Sequence, residues 1–156
     1  MANAQAICTT FKKELLLGAH QFGAVTLVSR TSLTAPTTDV FKFALLQTTG
    51  SAGAGTTNYS DVSASEVSSA NYTAGGTAVT NATAPNTSGT TAFWTPSANI
   101  TWTTVTFTTD CAFLYNSTQS NKAVASFTFS SQAVSAGNFT LTMPTNDASN
   151  ALIRIA

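Results

Sequence analysis

From about residue 24 onward the chain runs in short stretches of β-branched and aromatic residues, broken roughly every eight to twelve residues by Gly, Pro, Asn or Ser. This rhythm constrains the fold more than any other feature, because many short strands joined by turns bury their apolar faces as a sandwich or barrel. It predicts strands near 24–30, 39–48, 76–82, 90–95, 100–107, 110–116, 122–130, 138–143 and 151–155. The later ones alternate most clearly. In ITWTTVTF the alternation sets Ile100, Trp102 and Thr104 on one side and Thr101, Thr103 and Val105 on the other. In NFTLTM, Phe139, Leu141 and Met143 share a face. AFLYNSTQSNKAVASFTF, from Ala112 to Phe129, reads as a β-hairpin with apolar arms and an uncharged tip, Asn116 to Asn121.

The first residues follow another period. Ala4, Ile7, Cys8, Phe11, Leu15 and Ala19 recur at spacings of three and four, the apolar stripe of an amphipathic helix over about 3–18, with Asn3 as its cap and Gly18 or Gly23 as its stop. Lys12, Lys13 and Glu14 concentrate charge on its other face. Between Gly50 and Gly76 lies a small-residue segment too long for a tight turn, read either as a solvated Ω-like loop over 50–75 or as an arm that orders on a neighbouring subunit. The architecture expected is all-β: one domain over 1–156, a two-sheet antiparallel β-sandwich of jelly-roll-like topology with one N-terminal amphipathic α-helix.

With 156 residues, one domain can bury roughly two-thirds of its extended-chain surface. Only 8% of residues are charged, so hydroxyls and amides must cover the solvated faces. Such a surface suits a protein held permanently against a partner. Six basic and six acidic residues leave no basic field for phosphate backbones, so nucleic acid is not an expected partner. No apolar run reaches the roughly 18 residues of a membrane span, and the N-terminus lacks the order of a signal peptide. The chain is therefore expected to remain in the cytoplasm where it is made.

The inventory for chemistry is short. His20 is the single imidazole and falls at the predicted helix end, where a cation complements the dipole. Cys8 and Cys111 are expected as two buried thiols, and with one His they cannot assemble a four-ligand zinc site. Glu14, Asp39, Asp61, Glu66, Asp110 and Asp147 are scattered singly, without the pairing that glycosidic chemistry needs. TAGGT, Thr73 to Thr77, precedes a strand rather than a helix and is a turn, not a phosphate cradle. The Asn-x-Ser/Thr sequons, among them Asn58, Asn71, Asn116 and Asn138, follow from a chain rich in Asn, Ser and Thr. No enzyme activity, cofactor or metal is expected. Trp94 and Trp102 belong to the core or to a subunit contact.

Four segments, NAQAICTTFKKELLLGAHQF, EVSSANYTAGGTAVTNAT, LYNSTQSNKAVASFTF and SAGNFTLTMPTNDASNALIRIA, taken in order, resemble a family of small virion structural proteins of tailed bacteriophages. The resemblance covers most of the chain, although GAVTLVSRTSLTAPTTDVF is longer than the link between helix and DTFK-like strand in that family. It implies a component of the particle: a capsid cement or decoration protein that binds the major capsid protein shell as a dimer or trimer, or alternatively a tail, head-tail connector or fibre component. Candidate partner contacts are then Lys12, Lys13, Tyr59, Tyr72, Trp94, Trp102, Asn116 and Gln119.

Overall fold

The structure is a computed structural model that describes residues 2–16, 20, 22, 38–80 and 84–156, the side chains at 12–14 and 16 excepted. Two antiparallel sheets form an all-β sandwich with one short helix. In chain order the elements are β1 (Ala6–Ile7), α1 (Thr9–Leu16), β2 (Phe41–Leu46), β3 (Thr77–Ala78), β4 (Asn86–Ser88), β5 (Thr91–Trp94), β6 (Ile100–Asn116), β7 (Lys122–Leu141) and β8 (Ile153–Ile155). The larger sheet has the order β1-β7-β6-β2-β3 and the smaller β4-β5-β8. The strand expected over 24–30 lies outside the described residues.

The predicted hairpin is present: β6 and β7 pair from Asn116↔Lys122 outward. Its arms are buried on both faces, since Cys111 to Asn116 and Ala123 to Ser126 are all enclosed. The turn Gln119–Lys122 carries Ser120 at φ 53° and Asn121 at φ 60°, closed by Lys122 N–H donating to Gln119 O at 3.2 Å. Two consecutive left-handed residues give the primed turn whose twist matches the flanking strands.

The strands expected over 100–107 and 110–116 are one strand, as are those over 122–130 and 138–143. Register shifts between Trp102 and Val105, Val105 and Phe107, and Thr109 and Cys111 bend the ribbon without ending it. The bend is deep. Phe129 and Phe139, ten positions apart on β7, bring their ring centroids to 6.0 Å, whereas a straight strand would separate them by about 33 Å. The ribbon therefore doubles back, and Ala112, Phe127, Leu141 and Met143 line one small cavity. Thr104, at φ 53°, absorbs the extra residue. This corrects the expected facing of ITWTTVTF: Val105, Phe107 and Thr109 are buried with Ile100 and Trp102, while Thr103 and Thr104 both face outward.

The helix is shorter than its stripe implied. Ala6 and Ile7 are extended and pair with Ser126 and Ala125. Asn3 caps nothing: its amide nitrogen donates to Gln47 O at 3.0 Å and Asp110 Oδ1 at 2.8 Å, and its oxygen accepts from Ala52 N–H. Ala4 N–H donates to Ala52 O and Cys8 N–H to Val124 O. Hydrogen bonds to the sheet outweigh the small helix preference of these residues. Between the sheets Trp94 packs at 4.8 Å against Phe22 and 5.8 Å against Phe41, whose ring also stacks on Phe22 at 4.3 Å.

Candidate contact surface

Residues 50–75 fold back onto the β6–β7 ribbon. Two 3₁₀ turns, Tyr59–Asp61 and Ser63–Ser65, stand between Gly50 and Glu66. The first is fixed by Asn58, whose side chain accepts from Ser60 N–H, and by Asp61, whose carboxylate accepts from Thr57 N–H, Thr57 Oγ1 and Asn58 N–H. The Thr57 bonds hold the Asp61 carboxyl below the usual carboxylate range. Ala52, Thr56, Val62, Glu66, Val67 and Tyr72 are buried.

Two Asn-Tyr pairs grip the ribbon at its irregular points. Asn58 Nδ2 donates to Ser120 O at 2.7 Å, and Asn71 Nδ2 donates to Thr104 O at 3.1 Å. Both carbonyls belong to residues at φ 53°, one in the hairpin turn and one at the bend. The tyrosines converge on the carboxylate between them. Tyr59 OH donates to Glu66 Oε2 at 2.5 Å and Tyr72 OH to Oε1 at 2.7 Å, while Gly75 N–H donates to both oxygens at 3.0 Å. Leu45 N–H donates to Tyr72 Oη, and Tyr115 OH donates to Gly75 O. Tyr59 stacks on Tyr115 at 4.7 Å. Burial first, and then Glu66, raises all three phenols, Tyr115 to about 12.

A second polar knot lies under the hairpin tip. Asn116 is fully buried; its Nδ2 donates to Asp39 Oδ2 at 2.6 Å and stands 3.1 Å from His20 Nδ1, and its Oδ1 accepts from Thr118 N–H and Gln119 N–H. Gln119 Nε2 donates to Asp39 Oδ1 at 3.2 Å. His20 sits 4.8 Å from the Phe11 ring and stacks on Phe41. It belongs to a core knot rather than to a charged helix end.

The candidate contacts thus divide. Trp94, Trp102, Tyr72 and Asn116 are buried within the chain, and Tyr59 and Gln119 are partly buried with their polar atoms engaged inside it. Lys12 and Lys13 fall on α1, and their side chains lie outside the described residues. The surface left by this packing consists of Thr57, Ser60, Asp61, Thr118, Ser120 and Asn121, contributed by loop and tip together. Sequence reasoning treated Glu66 as one of several isolated carboxylates; two Asn-Tyr pairs bracketing a lone Glu were the available signal. It also treated loop and tip as separate, because their pairing joins residues far apart in sequence.

Among the described residues no group of three or more His, Cys, Asp or Glu side chains could hold a metal ion, and no helix is long and apolar enough to cross a membrane. Burial, with Asp110 adding to it, pushes the Cys111 thiol up to about 12, and the Cys8 thiol donates to Gly53 O at 3.7 Å. Both thiols are buried, as expected. No family model, curated protein or solved structure matches this chain.

Proposed function

We propose that the chain is a virion structural protein of a tailed phage, acting as a capsid cement protein that binds the shell of the major capsid protein through the joined loop and hairpin tip. One observation carries this reading: loop 50–75 is clasped to the hairpin by Asn58 Nδ2 on Ser120 O, Tyr59 N–H on Asn121 O and Ala123 N–H on Thr57 O. Two segments are thereby fused into a single rigid face of hydroxyls and amides. A preformed face binds without the entropy cost of ordering a loop, and a nearly uncharged one avoids desolvating ions. Repetition over a shell multiplies a modest free energy per copy. The resemblance to phage virion proteins supplies the setting.

The test is quantitative mass spectrometry of purified particles, with and without tails, against the major capsid protein. Hundreds of copies retained on tail-less heads support cement. A dozen copies lost with the tails would transfer the protein to the tail or connector, and absence from particles would overturn both readings. Deleting 50–75 is a poor probe because it strips Val62, Val67 and Tyr72 from the core. Charged substitutions at exposed Ser60 and Thr118 address the face directly; cement function requires that they weaken particle binding while leaving the chain folded.

A further inference from the structure

The β7 side of the molecule is built differently from the β6 side. The outer edge of β6 is paired with β2 from Cys111 to Asn116 and met further along by the 66–72 segment, where Thr106 N–H donates to Ser69 Oγ and Asn71 Nδ2 reaches Thr104 O. Among the described residues, the outer edge of β7 is covered from Val124 to Ser126, by Cys8 N–H and the β1 pairing. Among the described residues, no strand pairs with that edge from Phe127 to Leu141. Because the ribbon doubles back, this open edge runs along both limbs of the bend. Between them is a cleft of about 570 Å³ whose apolar lining is Phe129, Val134, Phe139 and Leu141.

An open edge presents a row of backbone donors and acceptors, which soluble proteins usually guard with lysines, prolines or bulges. Here bulges interrupt the edge between Thr128 and Gln132 and at Ala136–Gly137, but it carries no proline, and no charged residue occurs from Ala123 to Asn146. We propose that a second copy of this chain covers this side, with the two β7 edges meeting about a two-fold axis and closing the apolar cleft.

Three features select a second copy as the occupant. A two-fold contact sets the same patch against itself, so any charge near its centre would face its own like charge; the patch has none. For the same reason a charged partner would find no complement there. The size is also sufficient: an edge of about nine residues, or ~30 Å, by two layers, ~20 Å, gives about 600 Å² per copy, above the roughly 1,000 Å² total that separates specific interfaces from casual contacts. This pairing is a property of the isolated chain and does not depend on the virion reading.

The test is sedimentation velocity of the purified full chain from micromolar to millimolar concentration, with hydrogen exchange followed at both ends of that range. A dimer is expected, with protection that grows with concentration at amides of residues 127–141. Ser130→Lys with Thr140→Lys, one exposed position on each limb, should raise the dimer dissociation constant by at least about tenfold. The same added charge at exposed Asn86 and Ser88 on β4 should leave it unchanged. Circular dichroism checks that each variant folds, and the exchange pattern of the unaltered chain reads the surface without any variant. A chain that stays monomeric throughout, or a dimer protected elsewhere, overturns the proposal.

Discussion

Phe129 and Phe139 lie ten residues apart on one uninterrupted strand, yet their rings are neighbours, with centroids 6.0 Å apart. The bend that brings them together passes through Ala136, held at φ 46° with its N–H donating to Thr106 Oγ1. A side chain at that φ is strained, so Ala136→Gly should stabilise the protein by about 1 kcal/mol and Ala136→Val should destabilise it by about 1–2 kcal/mol. Urea unfolding midpoints at constant m-value measure both.

Gly76 occupies φ 67° against the backbone of β2, where a Cβ would overlap the Phe43 carbonyl. Neither backbone can yield without breaking the β2–β3 pairing at Phe43↔Thr77. Gly76→Ala should cost about 3 kcal/mol or more, measurable as a lowered Tm or as loss of soluble protein.

Removing the carboxylate of Glu66 would strand the Tyr72 hydroxyl and the Gly75 N–H in buried surroundings. Glu66→Ala should therefore destabilise by about 2–4 kcal/mol. Tyr72→Phe leaves the carboxylate its other donors but strands the Leu45 N–H, and should cost about 1–2 kcal/mol, less than Glu66→Ala. Chemical denaturation of the two variants orders them.

All three tyrosines have phenols raised above their ordinary value, as does the Cys111 thiol. For such groups the stabilising contribution is complete below the unfolded-state value and declines above it, because the unfolded chain releases protons that the folded chain keeps. Stability should thus fall from about pH 9, where thiols begin to ionise in the unfolded state, and faster above about pH 10, where phenols do. Tyrosinate absorbance should rise together with loss of near-ultraviolet circular dichroism. Tyrosinate forming at ordinary pH in a protein that remains folded would contradict the buried network.

The two asparagine grips are far enough apart to act independently. Asn58→Ala and Asn71→Ala should each cost about 1 kcal/mol, and the double variant about their sum. Thermal unfolding of the single and double variants measures the additivity.

The sequence made some of this visible and hid the rest for identifiable reasons. The hairpin from Ala112 to Phe129 was legible because both arms are apolar and its tip is built of turn-forming residues. The side on which Val105 falls was not, since the flip occurs at Thr104, a left-handed position without the glycine that would mark it. Residues 3–8 kept a helical spacing but were drawn into sheet pairing by partners around residues 47, 52 and 125, which no local pattern reveals. Strand β4, Asn-Thr-Ser, carries no hydrophobic signal at all and pairs only because Gly89 at φ 57° turns the chain back onto β5. The hairpin tip itself was legible, and its union with loop 50–75 was not.

The doubled-back ribbon also governs how the molecule can come apart. Sandwiches whose halves are joined by loops can shear along the plane between them, with the linkers acting as slack. Here β6 and β7 stay paired around the bend, from Asn116↔Lys122 to Ile100↔Leu141, with shifts of register but no break in either strand. A pull on the far limb is transmitted through backbone to the near one, so the two limbs of the ribbon resist separation, while the β4-β5-β8 sheet is joined to them through residues 95–99 and 142–152.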